Sequence, residues 1–206
     1  MSLINTDKVN NIFFFNPRII KKNAYKNAKY NQLLENSENL TILPDENETE
    51  PKKDGLFKKF REELYKEIRK SGKFCDGLYA LFVKDSIKDC DAILRIESSM
   101  TRSKKIYGFA TLKFLRNSKS LYIDTICTNQ DIKGTGSYMI KLLSKICDDV
   151  SLEHIKLNSA TKAMPFYLKT DFECDPTCKM IKTMDGGSMK TRKNKRNSHN
   201  KTSRNF

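Results

Sequence analysis

Apolar residues recur in two rhythms along this chain. Leu56, Phe57, Phe60, Leu64 and Ile68 return at steps of three and four with Lys, Arg and Glu between them. That spacing predicts an amphipathic helix opened by Asp54-Gly55 and closed by Ser71-Gly72. Met139, Ile140, Leu143 and Ile146 repeat it within Gly134–Cys147. Elsewhere the apolar residues come in short runs: Ile12 to Phe15, Leu78 to Val83 and Ala92 to Ile96. Ile106–Leu115 and Leu121–Thr128 are richer in β-branched and aromatic residues and flank a turn-like Arg-Asn-Ser-Lys-Ser, a hairpin signal. Ile155-Lys156-Leu157 reads as a strand, Thr161–Lys169 as a short helix and Cys178–Met184 as a last strand. This succession predicts an α/β or α+β domain with mixed strand pairing.

The polar segments suggest boundaries. Residues 34–55 carry two prolines and many acids and read as a linker or long loop. Residues 1–53 are therefore read as an N-terminal extension and linker, and 54–185 as the folded domain. Residues 186–206 lack apolar periodicity, cannot bury enough surface to offset chain entropy, and are expected to be a disordered tail.

Composition narrows this reading. A chain of 206 residues with 38% hydrophobic content suits one ordinary domain. No stretch approaches the about 20 apolar residues of a membrane span, and Ile12–Phe15 is too short for a signal-peptide core. A cytoplasmic protein without a membrane partner is expected; nuclear or virion-associated locations stay open. The six cysteines are then expected to be reduced, mostly buried, small hydrophobes. Cys174 and Cys178 lack a second pair at zinc spacing, so no metal is expected. Of the net charge of +14, residues 1–53 hold +1, 54–185 hold +6 and 186–206 hold +7. The tail reads as a solvated end, a weak nucleic-acid or anionic-surface contact, or an import segment.

The chemistry concentrates in Leu121–Ile140, where a strand runs through Lys133-Gly134-Thr135-Gly136-Ser137 into a helix. Glycines allow close approach and positive φ, and the unpaired N–H groups and dipole of a helix start form an anion site suited to a pyrophosphate. No Gly-Lys-Ser/Thr makes this a P-loop, and the third glycine of the dinucleotide fingerprint is missing. About twenty residues on comes a strand, a small-residue turn and a helix carrying Ala163, Phe166, Tyr167 and Phe172.

Over residues 75–185 the chain resembles the GNAT superfamily of acetyl-CoA-dependent N-acetyltransferases. The family pattern Arg/Gln-x-x-Gly-x-Gly/Ala is matched by Asp131-Ile132-Lys133-Gly134-Thr135-Gly136. The pattern Ala-x-x-Phe-Tyr-x-x-x-Gly-Phe is matched by Ala163 to Phe172. The departures are Asp131 for Arg or Gln and Asp171 for Gly. Asp tolerates a left-handed conformation better than most residues, so the second turn can survive. The tail is similar to C-termini in proteins of giant DNA viruses.

The resemblance implies a mixed, mostly antiparallel twisted sheet with flanking helices and a central strand–Gly loop–helix site for acetyl-CoA. It implies direct attack of a primary amine of unknown identity on that cosubstrate. Ile126, Cys127, Thr128, Asp131, Ile132, Lys133, Gly134, Thr135, Gly136, Ser137 and Ser159 would bind the cofactor, with the backbone of Ile126–Thr128 beside the pantetheine arm. Tyr167 would be the general acid, its phenol protonated at neutral pH; packing beside Phe166 is the alternative. Asp124, a carboxylate among Tyr122, Ile123 and Ile126, would relay the amine proton; a sheet-edge Asp paired with a lysine is the alternative. His154 is expected to cap or pack, and no Ser/Cys–His pairing supports a hydrolase. Two competing readings are a catalytically degenerate acyl-CoA- or protein-binding module and a nucleic-acid-associated structural component acting through residues 186–206.

Overall fold

The computed structural model describes residues 2–38, 40–44, 49–71, 74–75, 80–99, 105–175 and 179–184. The strands are β1 (Ser2–Leu3), β2 (Val9–Phe15), β3 (Thr41–Leu43), β4 (Ala92–Ser98), β5 (Ile106–Leu115), β6 (Ser120–Thr128), β7 (Ile132–Lys133), β8 (His154–Asn158), β9 (Glu173–Cys174) and β10 (Lys179–Thr183). The helices are α1 (Pro17–Lys22), α2 (Ala24–Asn36), α3 (Glu50–Ser71), α4 (Ala80–Asp89), α5 (Thr135–Asp149) and α6 (Met164–Leu168). An eight-stranded sheet runs β3-β2-β4-β5-β6-β8-β10-β9. Its pairs are antiparallel except β2–β3 and β6–β8. The architecture is a mixed, mostly antiparallel sheet with flanking helices, as expected.

Helices cover both faces of the sheet, which explains the unbroken apolar runs. In β2, Phe13 and Phe15 enter the layer beneath α2 and α5, while Ile12 and Phe14 enter the layer beneath α3 and α4. A strand buried on both sides has no polar face to alternate with. On α3 the steps of three and four place Phe57, Phe60 and Leu64 inside, with Phe57 and Phe60 centred 5.4 and 4.7 Å from the Phe14 ring. Each such side chain contributes about 1.5–3 kcal/mol through removal from water. On α5 the same spacing buries Met139, Ile140, Leu143, Ile146 and Cys147.

Residues 1–53 are more than an extension in this structure. β2 lies inside the sheet between β3 and β4, and Tyr30 and Leu33 of α2 belong to the core. The polar stretch 34–55 contains β3 and the first turn of α3. Polar composition hid these elements because only Tyr30 and Leu33 of α2 are buried and β3 is only three residues long. The second part of Leu78–Val83 is helical: α4 turns Val83, Ser86 and Ile87 inward, and Cys90 just after it is buried as well. The basic tail, residues 186–206, lies outside the described residues.

The cysteines also differ from expectation. Cys75 and Cys127 form a disulfide with Cα atoms 4.8 Å apart. The two are 52 residues apart in sequence, and an isolated bridge between Phe74 and Asn129 brings their backbones together. Cys90 and Cys147 are buried free thiols whose pKa burial raises, Cys90 to about 12; Cys174 is exposed. Among the described residues no helix is long and apolar enough to cross a membrane, and no group of three or more His, Cys, Asp or Glu is placed to hold a metal.

Candidate active site

Two neighbouring parallel strands separate at the middle of the sheet. β6 and β8 pair from Ser120–His154 to Ile123–Leu157. Beyond that point β6 continues through Asp124–Thr128 alongside β5, which is its one strand partner there among the described residues. A register shift opposite Thr111 and Leu112 makes Asp124 the extra residue of a β-bulge. The bulge and the parting of the strands therefore coincide at one residue.

A cleft of about 430 Å³ opens where the strands part. Its lining includes Ile126 and Thr128 of β6, the loop and helix start from Ile132 to Ser137, and Phe166 and Tyr167 of α6. The loop is shaped by local hydrogen bonding. The Asn129 side-chain oxygen accepts the Asp131 N–H at 2.9 Å, the Asn129 carbonyl accepts the Ile132 N–H at 3.1 Å, and its own N–H donates to Tyr107 at 2.8 Å. β7 then pairs with β1, and the Ile4 N–H donates to the Lys133 carbonyl at 3.0 Å.

Gly134 follows with φ +84° as the residue preceding α5. This left-handed conformation costs a residue bearing a Cβ about 1–2 kcal/mol. Among the described residues no side chain caps the start of α5. The N–H groups of its first turn are left for a ligand, and the positive end of the helix dipole points the same way. A Cβ on Gly136 would sit 3.1 Å from the Phe166 ring, so glycine lets α6 close against the helix start. Bare N–H groups, a close-packed glycine and the exposed Lys133 beside them suit a pyrophosphate.

α6 delivers Tyr167 to the same cleft. Pro165 stands at its start, where a missing N–H costs nothing. It closes through the Thr170 and Phe172 N–H groups, which donate to the Tyr167 carbonyl at 2.9 and 3.2 Å. Asp171 takes φ +65° in this turn, a left-handed conformation that Asp tolerates better than most residues. The turn brings the Phe172 ring to 5.5 Å from the Tyr167 ring, while Phe166 packs edge-on at 5.1 Å. Burial alone pushes the Tyr167 phenol up to about 12, so it stays protonated through the neutral range.

Asp124 lies on the opposite sheet face, under α4. It accepts a hydrogen bond from the Ser86 hydroxyl at 2.8 Å, and Lys113 Nζ is 3.7 Å away. The lysine partner of the alternative reading is thus present, together with a hydroxyl that reading did not include.

Of the residues expected to bind a cofactor, Ile126, Thr128, Ile132, Lys133, Gly134, Thr135, Gly136 and Ser137 line the cleft with Tyr167. Cys127 does not. Strand alternation turns it to the other face, into the α3–α4 layer and the bond with Cys75. Asp131 is half-buried outside the lining, its backbone drawn into the Asn129 turn. Ser159 lies beyond the lining as well, its hydroxyl donating to the Ala160 carbonyl at 2.9 Å. Three lining residues were not expected: Asn129, Gln130 and Phe166. Asn129 had a readable signal, a turn-forming Asn two residues before Asp131 at a strand end. A larger cavity of about 560 Å³ lies between β2, β3 and α5, lined by Asn11, Tyr138, Lys141 and Lys145 among others. It contains neither the glycine loop nor the start of α5.

No protein-family model matches this chain, and no curated protein matches it. Solved structures do show similarity. The catalytic domain of the Gcn5 histone acetyltransferase of Tetrahymena, in complex with coenzyme A, is 11% identical over 64% of this chain and 89% of its own, with a TM-score of 0.45. A spermidine N-acetyltransferase of Vibrio cholerae is 14% identical over 87% of this chain and 95% of its own, with a TM-score of 0.39. N-acetylglutamate synthase of Neisseria gonorrhoeae, complexed with coenzyme A and L-arginine, is 13% identical over 50% of this chain and 26% of its own, with a TM-score of 0.38.

Proposed function

We propose that this protein is an N-acetyltransferase of the GNAT type, transferring the acetyl group of acetyl-CoA to a primary amine by direct attack. The observation that carries the reading is the convergence of an uncapped glycine-led helix start and a buried tyrosine on one cleft, at the point where β6 and β8 part.

The N–H groups at the start of α5, with Lys133, hold the pyrophosphate. The unpartnered edge of β6 from Asp124 onward offers backbone groups to the amides of the pantetheine arm, as a strand offers them to an added peptide. Acetyl-CoA supplies an activated acyl carbon on a thiol leaving group. The amine nitrogen bonds to that carbon as the carbon–sulfur bond breaks. Asp124, reached from the α4 side of the gap between β6 and β8, takes the proton leaving the amine nitrogen, directly or through one water, and Tyr167 gives its phenolic proton to the departing sulfur. Desolvation keeps that proton on Tyr167 through the neutral range, so the acid form is the one present when the sulfur departs.

The test is acetyl-CoA-dependent thiol release with three amines: a peptide with a free N-terminus, a peptidyl lysine and spermidine. An N-acetylated product forming in step with free thiol is expected for at least one. Protein that binds acetyl-CoA yet acetylates none of them at millimolar cosubstrate would leave a binding module instead.

A further inference from the structure

Ser86 joins three oxygens from two strands at a single buried hydroxyl. It stands on α4 between Val83 and Ile87, which anchor the helix in the core. Its Oγ lies within hydrogen-bond reach of Thr111 Oγ1 on β5, of Thr125 Oγ1 at 2.9 Å and of Asp124 Oδ2 at 2.8 Å on β6. Ser86, Thr111 and Thr125 are 4%, 0% and 3% exposed, so the cluster is dry.

Proton counting fixes the direction of this network. A hydroxyl carries one proton and two lone pairs, and an ionised carboxylate only accepts. The Ser86 proton must therefore point at Asp124 Oδ2. Both threonine hydroxyls then donate into the lone pairs of Ser86, which exhausts its capacity. The Lys113 ammonium approaches the same oxygen, Oδ2, from the exposed side at 3.7 Å. Among the described residues Oδ1 has no hydrogen-bond or ion-pair partner. The carboxylate is gripped by one oxygen, which leaves the other for a further partner, and the residue that carries it stands at the bulge where the strands part.

We propose that Ser86, backed by Thr111 and Thr125, is a positioning residue that holds Asp124 with Oδ1 presented to the attacking amine. The inference rests on the reading of Asp124 as the base. It explains why three buried hydroxyls converge on one carboxylate, and why the bulge makes room for Asp124 and Thr125 to meet the same serine.

The experiment is a double-mutant cycle on kcat at saturating acetyl-CoA, using the amine with the highest kcat/KM of the three above. Ser86→Ala is expected to lower kcat by about 10- to 100-fold, the scale of a misplaced catalytic group, with the KM for acetyl-CoA unchanged. Ser86→Thr, which keeps the hydroxyl, is expected to recover most of the rate. In an Asp124→Asn background Ser86→Ala is expected to cost nothing further, since the group it positions is gone. If Ser86→Ala does not fold, Thr125→Val removes one donor to Ser86 and is expected to give a several-fold loss that also vanishes with Asp124→Asn.

Wild-type kcat in Ser86→Ala, with Asp124→Asn slow, would overturn the positioning role and leave the base assignment intact. Losses that multiply in the double variant would overturn it too, by showing that Ser86 acts on the fold alone. A fast Asp124→Asn enzyme would remove the base itself, and this inference with it.

Discussion

The two faces of the sheet bury their polar groups in opposite ways. Beneath α5 the layer is almost wholly apolar, and its chemistry lies at the rim, where backbone N–H groups and one phenol meet the cleft. Beneath α3 and α4 the layer encloses charge. Arg95 and Glu97 on β4 are 5% and 1% exposed, with Arg95 Nη2 2.9 Å from Glu97 Oε2 and the guanidinium 4.0 Å from the centre of the Phe60 ring. Glu63 of α3 approaches Arg95 at 3.9 Å. One face depends on fixed backbone geometry, which mutation reaches only through glycines and packing. The other depends on matched side-chain pairs and is exposed to single substitutions.

The largest effect expected on the cleft side is from Tyr167→Phe. It removes one hydroxyl and keeps the ring between Phe166 and Phe172. Loss of general-acid assistance lowers kcat by about 100- to 10,000-fold, with acetyl-CoA affinity unchanged. Weaker binding together with an unaltered kcat would instead make the tyrosine a packing residue.

Across the sheet, Arg95→Ala removes the cation 2.9 Å from the buried Glu97 carboxylate and is expected to cost about 3–5 kcal/mol of stability. Urea denaturation measures this directly. Arg95→Met with Glu97→Leu, which discards the charges together, is expected to regain much of the loss. If the single substitution is silent, the contrast between the faces disappears.

Gly134→Ala follows, at about 1–2 kcal/mol for forcing a Cβ into the left-handed conformation. Its added methyl would only touch Ile4 Cγ2, at 3.4 Å, so the strain comes from the backbone rather than from crowding. Acetyl-CoA affinity is expected to fall more than stability does, because the loop relaxes away from its ligand. Equal affinity in the two proteins would take Gly134 out of the cofactor site.

The smallest effect is at high pH. Burial raises the Tyr167 pKa from 10.0 in the unfolded chain to about 12. The neutral phenol is the form the fold favours, so this contribution is complete below pH 10 and is lost as pH rises through about 12. Comparing Tyr167→Phe with the unaltered protein cancels Tyr25 and Tyr122, which burial also raises. The variant is expected to lose less stability than the parent on going from about pH 9 to about pH 11. A parallel decline would mean that the phenol is no more buried than in the unfolded chain.

How much of this could be read from sequence follows the same division. The cleft is built largely from two contiguous segments, 121–140 and 163–172, whose strand–glycine–helix and aromatic patterns are visible in the chain. The charged and hydroxyl clusters draw on α3, α4, β4, β5 and β6, and no local spacing announces that Ser86 meets Thr111 and Asp124. β2 was visible as a run of four apolar residues, but its place inside the sheet depends on pairing with β4, about eighty residues away. The Cys75–Cys127 bond was hidden for the same reason. Cys127 was grouped with Ile126 and Thr128 by adjacency, and the two-residue period of the strand separates it from them.

The most direct test of the account is titration of acetyl-CoA into the full-length folded protein by calorimetry, paired with melting curves at the same concentrations. Binding at a single site is expected, with stability rising by mass action, about 2.7 kcal/mol when ligand reaches one hundred times Kd. A folded protein that shows neither heat nor a melting shift at millimolar acetyl-CoA would contradict the cofactor assignment, and with it the acetyl-transfer reading of the cleft.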